Sequence, residues 1–409
     1  MDDDEDEPTI GRRVARARRR KGWSQQHLGD AIGRTSSWVS KIERGDLPLD
    51  RMSIVSRIAD VLSVEVIELT GQPYRHRDRE LESGHSSIPA LRLALQHATL
   101  PVPVVASQTP FTPPDLSLIR VQVQECENLR QAARFNAVGE LLPGIIEQLS
   151  RYVRDRPGAG AEWAEANELF LRACHIARVA SNLLGHHDLA WTAVQLQAEA
   201  AERAQLPELQ AAAAWDLCGA WLHVGALRDA RTVALSLIDQ LDAFAGSDNE
   251  TLVALYGAMH LRAAVAYSRL WSTTDARNHL TIARTVSLRV SSPNVYQTMF
   301  NTLNVGIHAV EVEFELGHPV EALQRAELID PTQIISAERQ AHYWTIRAAG
   351  YAMNRKNDLA IRALLTADTI APQHLRNRPL ARELVRDLLD RERRRNTQLR
   401  GLASRMALE

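Results

Sequence analysis

The hydrophobic positions of residues 9–70 recur at helical spacing and are interrupted by glycines, which predicts a compact set of five short helices. Leu28 and Ile32 mark the buried face of the second helix, and Val39 and Ile42 mark that of the third. Polar capping residues precede the second and third helices, and a glycine follows each of them. The predicted spans are 10–21, 25–32, 36–44 and 49–62, with a short fifth helix around 66–69.

From residue 115 to 395 the pattern predicts long amphipathic helices joined by short turns, without the alternation typical of strands. Five turns share one form, in which an acidic residue opens the next helix and favours the positive end of its dipole. These residues are Asp188, Asp229, Asp275, Glu321 and Asp358. Their spacings of 41, 46, 46 and 37 residues indicate an α-solenoid, which is a stack of helix pairs.

The pattern therefore divides the chain into four parts and predicts an all-α fold. Residues 1–8 form an acidic tail, and residues 9–70 form the first helical domain. Residues 71–114 form a linker with a short helix at 87–100 and a proline-rich segment at 101–114. Residues 115–409 form the helical repeat domain, for which a sensing and dimerisation role is expected.

Charge is distributed unevenly, although 48 bases and 50 acids leave a net charge of only −2. Residues 1–7 contain six acids and no base, whereas residues 8–45 contain ten bases against Asp30 and Glu43. We expect Glu43 to make an ion pair or cap within its own domain. The basic segment suits a polyanionic partner, and the large neutral body gives no electrostatic reason to bind one.

Composition excludes several protein classes. Hydrophobic residues make up 45% of the chain, which is enough to build sizeable cores. No stretch is apolar enough for a membrane helix, and the acidic N-terminus does not resemble a secretory signal, so a cytoplasmic protein with no membrane partner is expected. The three cysteines are far apart and lack a C-x-x-C pair, which fits reduced thiols.

Residues 24–45, SQQHLGDAIGRTSSWVSKIERG, resemble the helix-turn-helix of the Cro/C1 (Xre-type) regulators, with Gly29 where that family usually has Ala. The resemblance implies that the third helix enters the major groove of double-stranded DNA, where serine and lysine side chains contact base edges and arginines contact phosphates. It also implies a homodimer on an inverted-repeat operator. The predicted DNA-binding residues are Gln25, Arg34, Thr35, Ser36, Ser37, Trp38, Ser40, Lys41 and Arg44.

A helix-turn-helix domain followed by a helical array is similar to the RRNPP-type quorum-sensing regulators. In that family a tetratricopeptide-like array binds a signalling peptide, which implies a peptide or small-molecule ligand here. Polar stripes on the predicted inner helices are the candidate contacts, since asparagine amides pair with peptide backbone groups. The alternative is ordinary solvated polar surface. The candidates are Arg178, Asn182, Tyr256, His260, Tyr267, Asn301, Asn304 and His308.

Enzymatic motifs are missing from the sequence, which contains no H-E-x-x-H, no G-x-S-x-G and no phosphate-binding G-K-[ST]. We therefore predict a non-enzymatic protein with no cofactor and no metal site. The predicted function is a sequence-specific DNA-binding transcriptional regulator whose repeat domain binds a signalling ligand that modulates DNA binding. The alternative is a DNA-anchored scaffold whose repeat domain binds a partner protein.

Overall fold

The computed structural model describes residues 8–74, 84–100, 114–155, 158, 160–292, 294–391 and 396–408. Within these residues the regular elements are helices and no strand occurs, which confirms the predicted all-α fold. The acidic tail at 1–7 and nearly all of the proline-rich segment, at 101–113, lie outside the described residues.

The bounds of the α-helices in the described part of the chain are as follows. They are α1 (Ile10–Arg20), α2 (Gln25–Ile32), α3 (Ser36–Arg44), α4 (Met52–Leu62), α5 (Val66–Thr70), α6 (Ile88–Thr99), α7 (Leu116–Gln131), α8 (Phe135–Asp155), α9 (Ala161–Leu183), α10 (His187–Ala204), α11 (Pro207–Val224), α12 (Leu227–Leu241), α13 (Glu250–Arg269), α14 (Thr273–Ser287), α15 (Thr302–Glu315), α16 (Pro319–Glu327), α17 (Ala337–Met353), α18 (Asn357–Ile370), α19 (Pro372–Arg376), α20 (Pro379–Asp390) and α21 (Thr397–Arg405).

Helices α1–α5 form the predicted five-helix domain around a core that contains Leu28, Val39 and Ile42. The prediction that the fourth helix begins at Leu49 was wrong, because α4 begins at Met52. Arg51 is extended, with φ −129° and ψ 135°, so the chain enters the helix only after it. Leu49 is nevertheless buried in the core from the preceding loop, which explains why its position fits the helical pattern.

The helical repeat region has the predicted turns. Asp188, Asp229, Asp275, Glu321 and Asp358 lie in the first turns of α10, α12, α14, α16 and α18, respectively. Consecutive helices pack as pairs, for example α9 with α10, α11 with α12 and α17 with α18. In these three pairs the acidic residue, Asp188, Asp229 or Asp358, lies at the start of the second helix.

The described residues fall into two compact units. The N/C unit combines the described residues within 1–82, 264–277 and 306–409, and the central unit combines those within 83–263 and 278–305. Within the N/C unit, Trp271 and Leu380 pack against the hydrophobic core of α1–α5. The guanidinium of Arg382 lies 4.2 Å from the centre of the Tyr74 ring. The five-helix domain is therefore covered on part of its surface by α20 and by the turn between α13 and α14.

Candidate functional site

Helix α3 presents three polar side chains on one face. Thr35 caps the helix, since its Oγ1 accepts a hydrogen bond from the backbone N–H of Trp38 at 3.2 Å, and Gly45 ends it with φ 87°. Val39, Ile42 and Glu43 are buried, which fixes the rotation of the helix about its axis. The opposite face, at i, i+4 and i+7, exposes Ser37, Lys41 and Arg44.

The other predicted DNA-binding residues are partly engaged within the domain. Ser36, Trp38 and Ser40 are half-buried, and Trp38 packs against the core of α1–α5. The side chain of Gln25 donates a hydrogen bond from Nε2 to Glu43 Oε2 at 2.8 Å. Its amide is therefore used internally, while the backbone N–H groups at the start of α2 remain suited to a phosphate. Arg34 is exposed, with its guanidinium 5.6 Å from the Trp38 ring centre.

A buried ion pair holds α1 to α3. Arg18 Nε donates to Glu43 Oε1 at 2.5 Å, and Arg18 Nη2 donates to Glu43 Oε2 at 2.9 Å. Burial alone would raise the pKa of Glu43, but the hydrogen bonds from Arg18 and Gln25 hold it below its usual value. The prediction of an internal ion pair at Glu43 is confirmed, and Arg18 has a structural role within the basic run.

The remaining cations of α1 divide into anchored and outward-facing groups. Arg13 donates to the carbonyl of Thr70, Arg20 pairs with Glu68 at 2.9 Å, and Lys21 donates to the carbonyl of Val61 at 2.8 Å. The exposed arginines that lie along one face of the helix are Arg12, Arg16 and Arg19. This face and the exposed side of α3 give the five-helix domain a positive surface.

In the central unit, several candidate ligand residues are buried and paired with neighbours. Asn182 Oδ1 contacts His187 Nδ1 at 3.0 Å, and His260 Nδ1 contacts His279 Nδ1 at 2.8 Å, so in each case one partner donates. Burial, together with His279, lowers the pKa of His260 to about 3. The Tyr256 and His260 rings lie 4.7 Å apart, edge to face. The structure thus brings Tyr256 and His260 together inside the fold.

The asparagines before and within α15 have a local structural role. Asn301 Oδ1 accepts the backbone N–H of Asn304 at 2.7 Å, and Asn304 Nδ2 donates to the carbonyl of Thr298 at 3.3 Å. Asn301 is half-buried and Asn304 is buried. Their side chains therefore stabilise the entry into the helix, and as ligand contacts they stay predictions.

Tyr267 and His308 belong to the N/C unit, apart from the central-unit candidates. Tyr267 is half-buried on α13. His308 is buried on α15, and its Nε2 accepts a hydrogen bond from Arg339 Nη2 at 2.9 Å, while its Nδ1 lies 3.5 Å from Glu311 Oε2. The predicted stripe along residues 301–308 therefore does not form one exposed surface.

A buried cluster around Asp216 was not identified from the sequence, apart from Arg178. Asp216 Oδ2 contacts His175 Nδ1 at 2.7 Å and accepts from Gln197 Nε2 at 2.6 Å, while Oδ1 lies 2.8 Å from Arg178 Nη2. Burial would raise the pKa of Asp216, but Arg178 and His175 hold it well below its usual range. The sequence does contain one indication of this cluster, because Asp216 is a carboxylate within the mostly apolar middle of α11. A carboxylate that is buried there needs a cation beside it.

No group of three or more His, Cys, Asp or Glu side chains in the described part of the chain is arranged to hold a metal ion. Among the same residues, no helix combines the length and apolar character needed to cross a membrane.

Comparison with known proteins identifies the first domain. Residues 9–70 match the family model of a helix-turn-helix domain, which confirms the assignment of α1–α5. No curated protein sequence matches the chain. Among solved structures, the chain is similar to PlcR of Bacillus thuringiensis, crystallised in complex with the peptide PapR7 and DNA. The two chains are 13% identical, the match covers 86% of this chain and 98% of PlcR, and the TM-score is 0.33.

Proposed function

We propose that the chain is a sequence-specific DNA-binding transcriptional regulator in which α3 enters the major groove. The observation that carries the proposal is the outward face of Ser37, Lys41 and Arg44 on a helix fixed by its buried side. Serine bonds to either base of a pair, and lysine favours the acceptors of guanine. Arg44 pairs with Asp46 at 2.7 Å, but this exposed pair contributes little and leaves Arg44 suited to a phosphate.

Phosphate contacts would come from the rest of the positive surface. Arg12, Arg16 and Arg19 are exposed on α1, and Arg34 is exposed before α3. Such contacts position the protein on the duplex and make its affinity fall with salt. Since one helix-turn-helix covers only a few base pairs, we propose a homodimer on an inverted repeat whose half-sites lie about 34–36 Å apart.

The helical repeat region is proposed to bind a signalling peptide or small molecule that alters DNA binding. Among the candidate ligand residues of the central unit, four carry a buried polar atom with no hydrogen-bond partner among the described residues, namely Arg178 Nε, Asn182 Nδ2, His260 Nε2 and Asn304 Oδ1. Buried polar atoms are satisfied in the great majority of cases, so such groups support a polar ligand. Asn182 and Asn304 carry amides, which suit the backbone groups of a peptide.

The test of DNA binding is in vitro selection from random duplexes with the full chain, followed by affinity measurement on the selected site. Lys41→Ala should weaken binding about 5- to 150-fold and relax the preference at one base pair, as expected for the loss of one base contact. Lys356→Ala is a matched control, because Lys356 is an exposed lysine of the repeat region. Equal affinities of Lys41→Ala and the unaltered chain would refute the assignment of α3.

The second candidate function is a DNA-anchored scaffold that binds a partner protein. It is favoured by the exposure of Leu328 and Ile335, whose relative accessibilities are 86% and 88%. Apolar side chains that are this exposed are typical of interaction surfaces when they form a patch. A ligand-induced change in operator affinity distinguishes the two candidate functions, because the regulator requires such a change and the scaffold does not.

A further inference from the structure

The N/C unit contains a cavity of about 240 Å³ beside the turn between α2 and α3. Trp271, in the turn that joins α13 to α14, also lines it. A cavity of about 150 Å³ is large enough for benzene, so this one accommodates an aromatic ring with a charged substituent. The lining residues are Ile32, Gly33, Arg34, Ile54, Arg57 and Trp271.

Two arginines give the cavity its charge. Arg34 and Arg57 are exposed, and neither pairs with a carboxylate among the described residues. The Arg34 guanidinium lies 5.6 Å from the centre of the Trp38 ring and 6.0 Å from that of the Trp271 ring, and the Arg51 guanidinium lies 5.6 Å from the Trp271 ring centre. A guanidinium presents paired N–H donors that match a carboxylate, and indole faces hold it in place.

Trp271 ends the turn that follows α13. Its φ of 65° belongs to a Schellman cap, in which the backbone N–H of Ser272 donates to the carbonyl of Tyr267 at 2.9 Å. The Trp271 Nε1 is buried and has no hydrogen-bond acceptor in the described part of the chain. The indole therefore contributes an aromatic surface to the lining of the cavity.

We propose that this cavity binds a small aromatic carboxylate. The ring lies against Trp271 and Ile54, and the carboxylate is bound by Arg57 and Arg34. This inference goes beyond the proposed ligand of the repeat region, because it places an effector on the helix-turn-helix domain itself. Arg34 comes directly before Thr35, the N-cap of α3, and is an expected phosphate contact. Ligand and DNA would therefore compete for one guanidinium, and each would weaken the binding of the other.

The experiment is calorimetric titration of the full chain, without DNA, with indole-3-acetate, indole-3-acetamide and inorganic phosphate. Indole-3-acetate should bind at least about tenfold more tightly than the neutral amide and than phosphate, because only it combines a ring with a carboxylate. Arg57→Gln and Trp271→Leu should each weaken it about tenfold or more. Arg228→Gln, which alters an exposed arginine of α12, should leave the affinity unchanged.

Three results would overturn the proposal: no binding of indole-3-acetate at millimolar concentration, equal binding of acid and amide, or equal affinity of Arg57→Gln and the unaltered chain. Circular dichroism shows whether the variants are folded. If Trp271→Leu is unfolded, Arg57→Gln still decides the outcome, because Arg57 is exposed and its replacement leaves the core unchanged. Because the titration contains no DNA, its result is independent of whether α3 enters the major groove.

Discussion

Glu315 caps α4 from outside the helix-turn-helix domain: its Oε2 accepts the backbone N–H of Ser53 at 3.0 Å, and its carbonyl accepts Ser53 Oγ at 3.2 Å. The N-cap residue of α4, Arg51, makes no side-chain hydrogen bond, so this glutamate satisfies an amide that the domain leaves open. Glu383 serves α1 in the same way, accepting the N–H of Ile10 at 3.3 Å. Two helices of the domain therefore depend on acceptors from α15 and α20.

We expect Glu315→Ala to lower the free energy of unfolding by at least about 1–2 kcal/mol, because it removes the acceptor of a buried first-turn amide and also the carboxylate that Arg269 Nε contacts at 3.2 Å. Urea denaturation measures the change. Glu327→Ala, at an exposed position of α16, is the control and should stay within about 0.5 kcal/mol of the unaltered chain. Equal stability of the two variants would show that the cap contributes nothing.

Gly11 allows α1 to cross α3 closely, since a Cβ at Gly11 would overlap the backbone carbonyl of Ile42. Gly11→Ala should destabilise the protein, because overpacking costs about 1–3 kcal/mol and the gain in helix propensity is at most about 1 kcal/mol. Gly144→Ala is the matched control, because Gly144 lies within α8 and a Cβ there meets nothing within 4 Å.

Thermal unfolding compares the two glycine variants, and we expect opposite signs. The substitution in α8 should raise the melting temperature, whereas the one in α1 should lower it. Operator affinity should also fall for Gly11→Ala, because the displaced carbonyl belongs to α3, the helix proposed to contact bases. Stabilisation by both substitutions would mean that α1 and α3 separate without cost.

Breaking the buried ion pair between Arg18 and Glu43 should lower the free energy of unfolding far more than breaking the exposed ion pair between Arg20 and Glu68. Arg18→Ala leaves Glu43 buried without its cation and should cost about 3–5 kcal/mol. Arg20→Ala, which breaks the exposed pair with Glu68, should cost at most about 1 kcal/mol. Chemical denaturation of both variants decides the point, and similar losses would contradict the burial argument.

Acid should destabilise the central unit through His260. Its pKa in the folded chain is about 3, against about 6.5 when unfolded, so the unfolded chain binds one more proton between these values. Stability therefore falls as the pH decreases through this window, by about 1.4 kcal/mol between pH 7.5 and 5.5 from this residue alone.

Replacement of His260 tests the sign of this effect. His260→Gln should make the melting temperature less dependent on pH over the same interval, whereas His97→Gln, at an exposed position of α6, should not. Some dependence should persist, since burial also lowers the pKa of His175 and His374. An unchanged pH profile of the His260 variant would contradict the assignment.

Local signals predicted the helix-turn-helix domain well, because Ser24, Thr35 and the glycines at 33 and 45 determine helix ends without help from distant residues. The same signals failed at Leu49, where a loop residue is buried in the core. The acidic residues that open five helices also act locally, through the helix dipole.

The polar stripes of the repeat region could not be interpreted in this way. Asn304 and His308 lie at helical spacing, but their surroundings depend on Thr298 and on Arg339 of α17, which the spacing does not reveal. A stripe facing solvent and a stripe facing another helix have the same period. Likewise, the Asp216 cluster joins α9, α10 and α11, and only the packing of these three helices brings its members together.

The glutamate caps also have a consequence for the order of events during synthesis. Ile10 and Glu383 are 373 residues apart, and Ser53 and Glu315 are 262 apart. At about 5–20 residues per second, a ribosome needs roughly 20–75 s to proceed from the first of these residues to the last. Through that interval the nascent helix-turn-helix domain lacks one or both acceptors. Chains released early would carry a DNA-binding domain that is less stable than that of the finished protein.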